Sequence, residues 1–157
     1  MAEKARHPWK RIVIRLLAWE HSIIDQACGA LDELERSTLI QEGIVAKANR
    51  LGICWSATRP APLTAPWPYA VERGEQATAA RVSISVSVPL MVLLKRAAQH
   101  VGTSEPLFAV GSTLAYVGRL QGLWRDAAMV KGTEETARRL RRIKLPPQYD
   151  YRRRRPK

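Results

Sequence analysis

The residues with the clearest chemical potential lie in a segment of strict alternation, residues 81–88, which reads Arg-Val-Ser-Ile-Ser-Val-Ser-Val. Successive side chains of a β-strand point to opposite faces. One face therefore carries a guanidinium and three hydroxyls (Arg81, Ser83, Ser85 and Ser87), and the other carries branched apolar groups (Val82, Ile84, Val86 and Val88). Short donors and acceptors of this kind suit a ribbon that enters the major groove of DNA, where each base pair has a distinct hydrogen-bonding pattern.

A weaker copy of this pattern lies near the start of the sequence, in the segment Arg11-Ile-Val-Ile-Arg-Leu16. Ile12, Ile14 and Leu16 would share an apolar face. Arg11 and Arg15 would point the other way, where an arginine side chain can reach O6 and N7 of guanine. We therefore expect two short strands, which pair antiparallel and present one polar face.

Each strand is followed by a helical pattern. From Ala18, apolar residues recur at spacings of three and four up to Leu34, and a second run extends from Leu39 to Ala48. We place the break at Arg36-Ser37-Thr38, with Ser37 or Thr38 as the N-cap of the second helix and Gly52 as its stop. Neither Gly nor Pro marks this break, so one continuous helix from Ala18 to Asn49 is an open alternative.

In the second copy, the starts and ends of the helices are marked by clearer sequence signals. Pro89 suits the first turn of a helix, which the apolar pattern carries to Val101. The segment Gly102-Thr103-Ser104 ends that helix and caps the next, whose first turn holds Glu105 and Pro106. A further helical segment is predicted over roughly 119–143.

Five segments result: a first strand-helix-helix unit (10–52), a Pro-rich linker (53–79), a second unit (80–122), a C-terminal helix (123–145) and a basic tail (146–157). Four prolines between Pro60 and Pro68 exclude a helix from the linker. One strand followed by two helices cannot bury its apolar face alone, whereas two such units can. The predicted fold class is mainly α with a short two-stranded antiparallel β-ribbon.

The net charge is +12, and it is concentrated near the end of the sequence. Positions 138–157 carry ten Lys or Arg and one acid, a net of +9 out of the total of +12. Such a tail binds polyanions without reading sequence. We expect phosphate contacts from the tail and from the backbone N–H groups at the helix starts. The residues predicted to bind phosphate are Ser37, Thr38, Thr103, Ser104, Arg152, Arg153, Arg154 and Arg155.

Other signals are weak. The sequence has no apolar run long enough to span a bilayer and no apolar signal core near Met1, so we expect a cytoplasmic protein without membrane contact. Cys28 and Cys54 lack metal-binding spacing and suit a reducing compartment. His7, His21 and His100 lie in no catalytic or metal motif, and no Gly-rich phosphate loop is present, so we expect neither an enzyme nor a bound metal or cofactor.

The chain resembles the ribbon-helix-helix superfamily, in which two strand-helix-helix units pair their strands. More narrowly, it is similar to single-chain tandem proteins of the virulence C operon type, which assist T-DNA border processing in conjugation-like transfer. The similarity is best over Ser85–Val117, in the segments Val88–Ala98 and Phe108–Leu114; over Arg11–Leu51 it is the general pattern, with Arg36-Ser37 at the second helix start.

The resemblance implies a tandem pseudo-dimer that binds double-stranded DNA through outward strand residues and assists a relaxase. The base-reading residues it implies are Arg11, Val13, Arg15, Arg81, Ser83, Ser85 and Ser87. Two departures from the family pattern stand out. Val13 is apolar where a polar reader is common, and the first unit lacks the usual Gly between its helices.

The leading hypothesis is therefore a sequence-selective DNA-binding protein, either an accessory factor for plasmid transfer or a transcriptional regulator. Because its two strands differ, we expect an asymmetric target site. We expect a monomeric pseudo-dimer that can associate further on DNA. The alternative is a basic helical subunit of a ribonucleoprotein or RNA-guided complex, with Ala18–Asn49 as one helix.

Overall fold

Two strands and five helices make up the part of the chain that the computed structural model describes, which is residues 9–53, 80–126, 134–146 and 149. The first unit contains β1 (Trp9–Leu16), α1 (Ala18–Ala30) and α2 (Arg36–Arg50). The second contains β2 (Ala80–Ser87), α3 (Val88–Val101) and α4 (Glu105–Asp126), and α5 (Glu134–Arg141) follows. The predicted class, mainly helical with a two-stranded antiparallel sheet, is confirmed. Most of the linker and Arg152 to Arg155 lie outside the described residues.

The strands pair antiparallel, in a register that places Trp9 opposite Ser87 and Leu16 opposite Ala80. Exposed and buried residues alternate from Arg11 to Leu16 and from Arg81 to Val86, whereas Lys10, which lies opposite Val86, is exposed. The buried residues of the inner face are at most 7% exposed and join the core beneath the ribbon; they are Ile12, Ile14, Leu16, Val82, Ile84 and Val86. Burial of this face fixes the register, because a shift by one position would turn every apolar side chain into solvent.

The prediction that Val88 belongs to the apolar inner face of the second strand is wrong. β2 ends at Ser87, and Val88 is the first residue of α3, with 43% of its surface exposed. The reason is local: the Ser87 hydroxyl accepts a hydrogen bond from the Leu90 N–H (3.3 Å), and Pro89 occupies the first turn. This cap turns the chain from strand to helix just before the alternation ends.

The break between the first two helices lies earlier than predicted. α1 ends at Ala30 and α2 begins at Arg36, so residues 18–49 form two helices. Asp32 and Glu33 adopt positive φ (64° and 60°) between them. The Leu34 N–H donates to the Cys28 carbonyl (3.1 Å), which turns the chain back so that Leu34 packs against the core. The turn between α3 and α4 uses Gly102 at φ 72°, where glycine has no steric penalty.

The last helices also differ from their predicted bounds. The predicted start near 119 and the predicted boundary between 122 and 123 both fall inside α4, which extends to Asp126. The buried Gln121 amide of α4 donates to the carbonyls of Leu140 (2.7 Å) and Ile143 (2.8 Å), at the end of α5 and just after it. Tyr149, assigned to the basic tail, is only 4% exposed. Its carbonyl lies against Gly118, where no Cβ would fit.

The two units interlock beneath the ribbon through a close crossing of α2 and α4. A Cβ added to Gly43 of α2 would lie 2.8 Å from the Cα of Thr113 in α4. Because both contacting groups belong to helix backbone, neither can rotate away. The crossing therefore depends on the missing side chain of Gly43. No helix in the described part of the chain is long and apolar enough to cross a membrane.

The close crossing of α2 and α4 predicts that two helical glycines respond differently to substitution by alanine. Gly43→Ala should lower the free energy of unfolding by about 1 kcal/mol or more, because overpacking outweighs the gain in helix propensity. Gly29→Ala in α1 is the matched control, since its Cβ meets nothing within 4 Å. Urea denaturation should show it as neutral or stabilising. Equal effects from both variants would contradict the crossing.

Candidate nucleic-acid interface

The outer face of the ribbon is polar and open to solvent. Six side chains that alternate with the buried ones are exposed: Arg11, Val13, Arg15, Arg81, Ser83 and Ser85. All six were predicted to read bases, and the structure brings them onto one surface. The face carries three arginines and, among these six, no acidic residue. It offers guanidinium and hydroxyl groups that suit the acceptors and donors of base edges.

The register decides which of these side chains are neighbours. Val13 lies opposite Ser83, Arg11 opposite Ser85, and Arg15 opposite Arg81. The two ends of the outer face therefore differ. One end combines an arginine with a short hydroxyl, and the other places two arginines directly across the ribbon. Like charges in directly opposed positions destabilise a sheet.

Ser87, the seventh predicted reader, lies in a different environment. Its hydroxyl caps α3, as described above, and its side chain is only partly exposed. Because this hydroxyl accepts a hydrogen bond from the Leu90 N–H, its structural role is to cap helix α3. Ser87 thus belongs to the strand-to-helix junction, whereas Ser83 and Ser85 lie on the exposed outer face.

A groove of about 640 Å³ runs along one side of the ribbon, between its Arg11–Ser85 end and the start of α2. Gln41 of α2 holds the two walls together, because its amide donates to the Ser85 carbonyl (3.1 Å) and to the Ser37 hydroxyl (2.8 Å). The lining residues are Trp9, Arg11, Glu35, Ser37, Thr38, Gln41 and Ser85. The groove thus joins the ribbon face to a helix N-terminus, and it includes one carboxylate.

The predicted phosphate-binding residues fall at two helix starts. Ser37 and Thr38 lie inside the first turn of α2 and are not its N-cap, which is Glu35 and makes no side-chain capping bond. At α4, Ser104 is the cap that was predicted, since its hydroxyl accepts from the Leu107 N–H (3.3 Å). The Thr103 hydroxyl is buried and has no hydrogen-bond partner among the described residues.

Two residues at this surface were missed by the sequence analysis. Trp9 is 53% exposed and opens β1, one alternation step before Arg11. The alternation of Arg11, Val13 and Arg15 continues back to Trp9, so this residue had a signal. Gln41 had none, because its bond to Ser85 joins residues 44 positions apart and depends on the tertiary fold.

Groups that often perform catalysis have structural partners here. Asp25 accepts from the Arg36 guanidinium (2.7 Å) and lies 3.5 Å from His21, which ties α1 to the start of α2. Burial raises the pKa of the Cys28 thiol, and the nearby Asp25 carboxylate raises it further. Among residues 9–53, 80–126 and 134–149, so far as described, no three His, Cys, Asp or Glu side chains could share a metal ion.

Comparisons with protein-family models, with curated proteins and with solved structures give no match to this chain.

The opposed arginines make a prediction about stability. Arg81→Ser should raise the melting temperature at low ionic strength by about 1–3 °C, because it removes the like-charge pair with Arg15. Arg11→Ser is the matched control: it removes the same charge from the same face, but its cross-strand partner is the neutral Ser85. The gain should appear for Arg81→Ser alone and should fade in high salt. A similar gain from both variants would contradict the pairing.

Proposed function

We propose that this protein binds double-stranded DNA by inserting the β1–β2 ribbon into the major groove. The observation that carries the proposal is the outer face of the ribbon, where arginines and short serines are exposed above an inner face of buried apolar side chains. The major groove is about 12 Å wide and admits a two-stranded ribbon. Short side chains let the ribbon approach the base edges, and the arginines supply bidentate donors.

The proposal includes a tandem ribbon-helix-helix architecture, with both units of the pseudo-dimer on one chain. Its support is an approximate internal repeat: α1 begins at Ala18 and α3 at Val88, and α2 begins at Arg36 and α4 at Glu105. The offset that relates Ala18 to Val88 also relates Val13 to Ser83, and these two strand residues lie opposite each other in the ribbon. A pseudo-twofold axis through this pair would relate the two units.

The dimensions of the outer face suit a short site. Arg11 and Arg15 are separated by two alternation steps, which correspond to about 14 Å along a strand. Base pairs in a duplex are about 3.4 Å apart, so this distance spans about four base-pair steps. The first turns of α2 and α4 would lie towards the phosphates on either side of the groove. Arg152 to Arg155 would add affinity that depends on salt and not on sequence.

The biological role that best fits this proposal is an accessory factor to a relaxase in plasmid or conjugative DNA transfer, or a transcriptional regulator. The transfer role rests on the resemblance to tandem ribbon-helix-helix proteins. The ribonucleoprotein alternative included one continuous helix over Ala18–Asn49, whereas residues 18–49 form two helices and a β-ribbon is present. The proposal assigns no catalytic residue, metal or cofactor.

The proposal is tested by selecting bound fragments from a random double-stranded DNA pool at about 150 mM salt, where tail contacts are already weakened. The expected result is a short asymmetric motif of about five base pairs. Recovery of no motif would contradict the proposal, and tighter binding to single-stranded RNA than to duplex would then favour the ribonucleoprotein alternative.

A variant of the ribbon serines gives the sharper prediction. Ser83→Ala combined with Ser85→Ala should remove much of the discrimination among duplexes while leaving nonspecific affinity within about twofold, because hydroxyls at base edges carry sequence information and phosphate contacts do not. Fluorescence anisotropy with a selected and a scrambled duplex measures both quantities. Ser87 is left in place, since its loss would weaken the cap of α3.

The matched control is expected to give the opposite result, a lower overall affinity with unchanged discrimination among duplexes. Replacing Arg152, Arg153, Arg154 and Arg155 together by Ser should lower affinity for both duplexes and reduce the salt dependence, because fewer counterions are released. Substitution is preferable to deletion of 146–157, since Tyr149 packs in the core. Full retention of site preference in the serine variant would exclude the ribbon as the reading surface.

A further inference from the structure

We infer that the reading face has a fixed polarity: the Arg15–Arg81 end binds a guanine-rich end of the DNA site, and the Arg11–Ser85 end binds a more permissive one. This inference rests on the proposed function and goes beyond it, because it states which end of the ribbon takes which bases. The sequence alone predicts that the two strands differ. Only the register assigns the arginines to ends.

The chemistry of each opposed pair sets the expected bases. An arginine binds O6 and N7 of guanine through two hydrogen bonds, whereas a serine accepts or donates to any base. Arg15 and Arg81 are therefore each expected to bind one guanine. Paired strands lie about 4.8 Å apart and base pairs about 3.4 Å apart, so these two guanines belong to adjacent base pairs, since one base pair contains at most one guanine. The Arg11–Ser85 pair specifies one guanine and tolerates variation beside it.

The central pair separates the two ends. Val13 is 40% exposed and lies opposite the exposed Ser83. An apolar side chain at a base edge contacts the methyl group of thymine, and a serine hydroxyl is tolerant. The centre of the site should therefore favour an A·T pair. In a homodimer both halves of such a site would be identical. Here only Arg11 and Arg81 are alike among the outward residues that the internal repeat relates.

Charge reinforces the polarity. At the Arg15–Arg81 end, two guanidinium groups occupy directly opposed positions, and each suits the electronegative O6 and N7 acceptors of a guanine in the major groove. At the other end, Arg11 and Glu35 both line the protein groove between the ribbon and the start of α2. A carboxylate beside a phosphate or a base acceptor is unfavourable, so it weakens the anion attraction of that end. The stronger and more specific contacts therefore belong to Arg15 and Arg81.

The test is selection from the random double-stranded DNA pool with the full-length wild type and with Arg11→Ala, Arg15→Ala and Arg81→Ala. Arg15→Ala and Arg81→Ala should each relax preference at guanines on the same end of the wild-type motif, by about 5- to 150-fold per guanine. Arg11→Ala should relax preference at the opposite end. Arg138→Ala is the charge-matched control, because Arg138 is exposed on α5 and should leave the motif unchanged.

The outcomes separate this inference from the proposed function. If the wild type selects a motif, but Arg15→Ala and Arg81→Ala act on opposite ends of it, DNA reading stands and the polarity is wrong. A palindromic motif with equal losses at both ends would overturn the polarity in the same way. If the wild type selects no motif, both proposals fall. Thermal melting of each variant by circular dichroism confirms that a lost preference does not reflect unfolding.

Discussion

The antiparallel pairing of β1 with β2 is the interaction on which the rest of the structure depends. Each strand has one apolar face, and the strand-helix-helix segment that contains it cannot cover that face alone. Pairing joins the faces into a single apolar surface, which the helices cover from below. The contact is non-local, since Leu16 and its partner Ala80 lie far apart in the sequence. Forming it requires closure of a long loop before any ladder hydrogen bond is gained.

Once the ribbon forms, its two faces have opposite requirements. The inner face must be apolar because it meets the helices, and its burial fixes the register. The outer face is then free of packing constraints, so its composition reflects other demands. Exposed arginines and short serines bury little apolar surface, so they contribute little to folding.

Much of this fold could be predicted from the sequence because its signals are local. Strict alternation predicts the strands, Pro89 marks the start of α3, and Ser104 caps α4. The predictions failed where tertiary contacts override local preference. The turn between α1 and α2 places Asp32 and Glu33 at positive φ, which neither residue type signals strongly, and it is held by the packing of Leu34. Tyr149 lies among basic tail residues, yet it is buried against α4.

At the outer face of the ribbon, too, local sequence signals predict some features, and tertiary contacts determine the others. Alternation identifies which side chains point outward, so six of the seven proposed base-reading residues share one exposed face. It does not identify their cross-strand neighbours, because the register depends on packing of the whole inner face. It also does not reveal that Ser87 caps a helix or that Gln41 holds α2 against the ribbon. The chemical difference between the two ends of the ribbon follows from these long-range contacts.

The most direct test of DNA binding by the ribbon is an NMR titration of the isotope-labelled protein with a duplex that it selects from random sequence, at about 150 mM salt. We expect the largest amide shifts at Arg11, Val13, Arg15, Arg81, Ser83 and Ser85, with smaller shifts at the first turns of α2 and α4. Shifts confined to α5 and the basic tail, with the ribbon unchanged, would contradict it.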